Sequence, residues 1–214
     1  MREANRGRDV IGAHHLETTK HELQRRRDMA LLAIEPLAEC WRAWPDDPRL
    51  VALPVAIDLE RGWRDFHVNA SDSTSSLAAS VEGNPYQDLT RTVEVRPVPV
   101  LRLQDVLERI PPQVEVEYVK TDVQGLDLQV LKSAGQALRR VDRVKAEVIA
   151  GSIYQATGDS RPGTEAEFVA YMEQMGFGFV GDSDVQPERL WMDKTFVRRG
   201  GFGTAWRDLR RALR

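Results

Sequence analysis

Met29-Ala-Leu-Leu-Ala-Ile-Glu-Pro-Leu37 decides the fold. Six apolar residues in a row, Met29 to Ile34, suit a strand buried on both faces of a parallel sheet. Glu35 ends the run. Pro36 stands where a helix should begin, a position that tolerates its missing N–H. Leu37, Cys40, Trp41 and Trp44 then fall at helical spacing, and Pro45-Asp-Asp-Pro48 stops them. Leu50 to Ile57 reads as a second apolar strand, so strand, helix and strand form a right-handed crossover unit.

Outward from this unit the texture changes and then returns. Asp65 to Asn69 and Thr92 to Arg96 alternate polar and apolar residues, as half-exposed strands do. The polar run Ser71-Asp-Ser-Thr-Ser-Ser76 between them is either a solvated loop or a binding loop. Leu103 to Ile110 is a short helix closed by Pro111-Pro112. Val114 to Asp122 is a strand, Asp127 to Leu138 a helix with one apolar stripe, and Val141 to Ile149 a strand. Thr164 and Glu167 make a capping box for a helix whose core face is Phe168, Tyr171, Met172 and Met175, with Gly176 at its end. Phe177 to Val180 and Leu190 to Val197 are the last strands, expected to pair as an antiparallel unit. The sum is an α/β three-layer fold with a mainly parallel sheet of about seven strands.

Composition agrees. The chain has 214 residues, 42% hydrophobic and 29% charged, which places it among globular proteins and fits one domain over residues 1–214. Residues 1–8 read as disordered or as a truncated first strand, and residues 200–214 as a basic C-terminal helix with Trp206, Leu209 and Leu213 on one face. The net charge is -3. The body is acidic, which argues against nucleic acid as the main ligand. One cysteine, Cys40, excludes an internal disulfide and a zinc site built on cysteines, and fits a reducing compartment. No apolar stretch approaches the ~20 residues of a membrane span, and the N-terminus has no secretory pattern. The expected place is the cytoplasm; a homo-oligomer stays open.

Parallel sheets bind ligands beyond the carboxyl ends of their strands. That selects Gly12, Glu35, Asp58, Asp122 and Glu147. Glu35 lies 23 residues after Gly12, the spacing at which nucleotide-binding folds place an acid for the ribose hydroxyls. Its other reading is a cap for the following helix. Gly12 opens a turn, Val10-Ile-Gly-Ala-His-His-Leu16, with one glycine where a dinucleotide needs three. Nicotinamide dinucleotide enzymes therefore rank last. Asp122 is read as a general base, as a positioner of an acceptor, or as a structural carboxylate in the Gly125 turn. Lys120 shares its strand face and is expected to pair with it. His14, His15, His21 and His67 show no clear metal spacing on one face, and no metal is expected.

Ile11-Gly-Ala-His-His-Leu-Glu-Thr-Thr19, Leu32-Ala-Ile-Glu-Pro36, and Tyr118-Val-Lys-Thr-Asp-Val-Gln-Gly125 followed by Leu131-Lys-Ser-Ala134 resemble the FkbM family of S-adenosylmethionine-dependent methyltransferases. The resemblance runs over roughly residues 9 to 180, and the Lys-Thr-Asp-Val-Gln-Gly block is its most specific part. It implies a Rossmann-like class I methyltransferase fold, a seven-stranded sheet with the last strand antiparallel. It also implies methyl transfer from S-adenosyl-L-methionine to a hydroxyl of a small molecule, sugar or natural product. Gly12, Ala13, His14, Glu35, Pro36 and Asp58 would hold the cofactor. Asp122 and Lys120 would act at the methyl acceptor, with Glu147 and His67 binding it. The family pattern has an acid two residues before the first glycine and a second glycine four after it. Here those positions are Val10 and Leu16, which leaves a non-catalytic methyltransferase-like binding protein as the alternative.

Overall fold

The computed structural model describes residues 6–11, 13–16, 20–149, 152–155, 160–186 and 190–200. Gly12 and the stretch 201–214, where the basic C-terminal helix is expected, lie outside them. Seven strands form the main sheet: β1 (Arg6–Ile11), β2 (Met29–Ile34), β3 (Leu50–Leu53), β7 (Glu115–Thr121), β8 (Val141–Ile149), β9 (Phe177–Ser183) and β10 (Trp191–Arg198). Their order is β3-β2-β1-β7-β8-β10-β9. The pairs β3–β2, β2–β1, β1–β7 and β7–β8 are parallel, and β10 runs antiparallel to both β8 and β9. A second sheet has β4 (Ala56–Ile57), β5 (Gly62–Asn69) and β6 (Thr92–Leu101) in the order β4-β6-β5.

The helices are α1 (Lys20–Arg25), α2 (Gln87–Thr90), α3 (Leu103–Leu107), α4 (Asp127–Ser133) and α5 (Glu165–Gln174), with 3-10 turns at Ala38–Ala43, Asp72–Thr74 and Gly135–Arg140. Alternation along β2 splits the core. Met29, Leu31 and Ala33 face Leu23 of α1 and Leu16. Ile34 faces the opposite cluster, where Val119, Val144, Ala146, Val148 and Phe196 meet Leu107, Leu131, Phe168 and Met172 of α3, α4 and α5. The Thr164 hydroxyl accepts from Glu167 N and the Glu167 carboxylate accepts from Thr164 N, the capping box expected at the start of α5.

Three local expectations are corrected. The Leu37–Trp44 segment is a 3-10 turn, not an α-helix. Leu37 and Cys40 eclipse at its spacing of three and are buried, while Trp44, held before Pro45, is already extended. The strand read over Leu50 to Ile57 is broken at Pro54, which lacks the N–H a ladder needs. Its first half joins the main sheet and its second half the small one. The strand read over Thr92 to Arg96 continues through Pro97 and Pro99 to Leu101. β4 pairs only with Val100 and Leu101, so both prolines sit where β6 has β5 alone as neighbour. No described helix is long and apolar enough to cross a membrane.

Candidate active site

A cavity of about 400 Å³ opens at the carboxyl ends of β1, β2, β7 and β8. Its size suits a small-molecule site, typically about 300–1,000 Å³. Ala13, His14, Glu35 and Pro36 line it on the β1–β2 side, and Lys120, Asp122 and Glu147 on the β7–β8 side. β1 lies between β2 and β7, and strands are spaced about 4.8 Å, so Glu35 and Asp122 sit roughly 10 Å apart across the sheet edge.

Glu35 is 5% exposed. Leu37 N donates to its Oε1 at 2.9 Å and His14 N to its Oε2 at 3.0 Å. Burial pushes its carboxyl up, and the two N–H donors and His14 pull the other way. Each oxygen keeps a further lone pair for a ligand hydroxyl. Two indoles brace the same corner: Trp41 Nε1 donates to Glu35 O at 3.2 Å and Trp44 Nε1 to His14 O at 2.6 Å. His14 and Leu16 both have positive φ, 44° and 56°. Leu16 turns its side chain away from the cavity into the α1 cluster, so it does not obstruct a ligand.

Across the cavity a polar network is assembled. Lys120 Nζ lies 2.7 Å from Asp122 Oδ2, the pairing their shared strand face implied. Gln124 Nε2 donates to Asp122 Oδ1 at 2.9 Å and to Glu147 Oε2 at 3.1 Å. The Tyr154 hydroxyl reaches Thr74 O at 2.8 Å and Gln124 Oε1 at 3.2 Å, its one proton serving one of them at a time. Burial works against the Lys120 charge, and Asp122 more than offsets it, so its ammonium is held above the ordinary range. Glu147 is pushed well above the usual carboxylate range by burial first, then by Asp122, Asp127 and Asp193. Beneath them Asp127 is fully buried. Burial and the charge of Asp122 push its carboxyl up to about 7.

Gln124 was missed in the sequence because its role depends on conformation. It holds φ 59°, followed by Gly125 at φ 100°. That left-handed pair aims the amide between two strand-end carboxylates, at a cost for the non-glycine residue of about 1–2 kcal/mol. The only signal for it was membership of the Lys-Thr-Asp-Val-Gln-Gly block. Tyr154, Asp72 and Trp191 also line the cavity and carried no sequence signal beyond the polarity of the Ser71–Ser76 run.

Two expected site residues are not brought to the cavity. The Asp58 carboxylate accepts from Ser160 Oγ at 2.9 and 3.0 Å and from Leu59 N at 2.7 Å, and pairs with Arg64 at 2.9 Å. It is 0% exposed and does not line the cavity. The break at Pro54 moves it into the small sheet. His67 lies on β5, its backbone bridged to Ser76 at 2.8 and 3.1 Å, and does not line the cavity although Phe66 does. Burial holds its imidazole below the ordinary value.

The family model described as the methyltransferase FkbM domain matches residues 4–179. No curated protein matches the chain. Among solved structures, the fibrillarin/Nop5p complex matches with a TM-score of 0.51 at 14% identity, over 92% of this chain and 74% of that one, a likeness of fold. The magnesium protoporphyrin IX methyltransferase of Synechocystis PCC 6803, with bound SAM, matches at TM-score 0.49 and 8% identity, over 92% and 71%. A Burkholderia thailandensis 1,6-didemethyltoxoflavin-N1-methyltransferase matches at TM-score 0.44 and 14% identity, over 90% and 70%.

Proposed function

The chain belongs to the FkbM methyltransferase family, and from that premise we propose that it is a class I enzyme moving a methyl group from S-adenosylmethionine to a hydroxyl oxygen of a small molecule, a sugar or a natural product. One observation carries the reading. A single cavity holds a buried carboxylate with free lone pairs after β2 and a Lys–Asp–Gln–Glu network after β7 and β8.

The residues present fit the cofactor. Glu35, fixed by two N–H donors, would accept from the two adjacent ribose hydroxyls, and Ala13, His14 and Pro36 would form the neighbouring wall. S-adenosylmethionine, when bound, supplies a methyl carbon already activated by its sulfonium. The protein then has to orient the acceptor and take one proton. Asp122, held by Lys120 and Gln124, would fix the acceptor hydroxyl as its hydrogen-bond acceptor. Glu147, whose proton affinity is raised by burial, would receive the proton at Oε1, the oxygen that Gln124 does not engage. The carboxylates Asp72, Asp122 and Glu147 in the cavity wall favour a neutral or cationic acceptor over nucleic acid. The lone buried cysteine suits the cytoplasm.

Calorimetry with S-adenosylhomocysteine tests this, with NAD as control. Saturable binding to the parent and about 10–150-fold weaker binding to Glu35→Ala is expected, the loss of one charge-assisted hydrogen-bond set. Unchanged binding in a folded Glu35→Ala removes Glu35 from the cofactor site. No binding to the folded parent overturns the cofactor placement.

A further inference from the structure

Three separated segments bring four metal-ligating groups together beside Glu35. His14 and His15 follow β1, Cys40 lies in the 3-10 turn after β2, and Asp72 comes from the loop after β5. One ligand atom from each lies within 4.8 Å of every other. His14 Nε2 is 3.0 Å from Asp72 Oδ1, and His15 Nε2 is 3.5 Å from Asp72 Oδ2. Tetrahedral zinc, with bonds of about 2.0–2.3 Å, places its ligand atoms about 3.3–3.8 Å apart. Each imidazole nitrogen is near that spacing from one Asp72 oxygen, the two meeting different oxygens of the carboxylate.

Two further details point the same way. His14 Nε2 is buried against the Asp72 carboxylate. His15 Nδ1 lies 3.2 Å from the Cys40 carbonyl oxygen. A ring N–H donated to a backbone carbonyl fixes the tautomer that leaves the other nitrogen free to ligate, the usual second-shell arrangement of metal histidines. The two imidazoles stand 4.0 Å apart, tilted by 57°.

We propose that His14, His15, Cys40 and Asp72 form a tetrahedral site for a zinc-class divalent cation in the wall of the cavity. Thiolate, imidazole and carboxylate together suit zinc better than magnesium or calcium, which prefer all-oxygen sets. On binding, the Cys40 S–H bond breaks, an S–metal bond forms, and the proton passes to solvent. His14, His15 and Asp72 line the cavity and meet the cation from that side, while Cys40, fully buried, meets it from behind. The spacing along the chain hides the site, because the ligands come from three elements.

Cobalt(II) titration of the chelator-treated full chain, without cofactor, tests it. The expected result is one equivalent bound, with intense visible bands of a tetrahedral ion and a near-ultraviolet thiolate-to-cobalt band. Cys40→Ser should lose the thiolate band. His15→Ala and Asp72→Ala should each weaken binding by more than the roughly 10–100-fold that second-shell losses cost. Circular dichroism establishes folding, and if Cys40→Ser fails to fold the two loop variants carry the test. The proposal is overturned if the folded parent leaves the cobalt spectrum as in water. It is equally overturned if the bands persist in His15→Ala combined with Asp72→Ala, or if a folded Cys40→Ser keeps the thiolate band. Calorimetry with S-adenosylhomocysteine is independent of this titration, so failure of either reading leaves the other standing.

Discussion

The two faces of β7, β8 and β10 are built from the same strands and do opposite things. Toward α3, α4 and α5 they present Val119, Val144, Ala146, Val148 and Phe196, all buried. On the other face Lys120, Lys145, Glu147 and Asp193 follow at alternate positions, with Lys145 paired to Asp193 at 2.6 Å and to Asp184 at 2.9 Å. Arg143 lies over the Tyr118 ring at 5.8 Å. The period of two in a strand is enough to separate a face that carries stability from a face that carries charge. Buried titratable groups concentrate where chemistry needs shifted proton affinities.

Substitutions can break or sharpen this division. Phe196→Ala on the apolar face should cost about 3–5 kcal/mol in denaturant unfolding, because it leaves a cavity among residues of α5 and β9. Glu147→Gln on the other face should not lose stability, and should gain it as pH rises, because the buried carboxyl resists ionisation in the folded chain; turnover should fall by about 10²–10⁴-fold. The converse pattern, a stability loss with rate retained, would make Glu147 structural. The parent rate should also rise with pH as Glu147 ionises, at a pH above the ordinary carboxylate range. Glu147 faces Asp122, Asp127 and Asp193, which resist its ionisation, against Lys120, which favours it. The Gln variant should lose that rising limb.

Asp127 sits at the junction of the two faces, and its effect is smaller. Folding raises its proton affinity from the ordinary 3.8 to about 7. The folded chain therefore binds a proton that the unfolded chain has released between about pH 4 and 7, so stability falls as pH rises through that window. Asp127→Asn should be about 1–4 kcal/mol more stable than the parent at pH 8, with the gap closing toward pH 4, as read from urea midpoints. Lys145→Met comes last. It strands Asp193 and frees the exposed Asp184, and should cost about 1–2 kcal/mol in the same measurement.

The sequence was legible where one residue type settles a conformation. The apolar run of β2, the Thr164–Glu167 cap and the acids at the ends of β2, β7 and β8 could be read directly. The division of the Leu50–Ile57 strand at Pro54 could not, because both halves are apolar and each finds a different sheet. Asp58 was misplaced for that reason alone. Gln124 and Asp72 escaped because left-handed turns and loop closure, not spacing, aim them into the cavity.

The pair Trp41 and Trp44 has a use of its own. Their rings lie 5.9 Å apart, and each indole N–H is tied to the carbonyl of a cavity residue, Glu35 or His14. Any ligand that shifts those two carbonyls changes the polarity and quenching felt by both indoles. The protein thus carries its own optical reporter beside Glu35 and His14, and its emission spectrum should move on ligand entry without an added label.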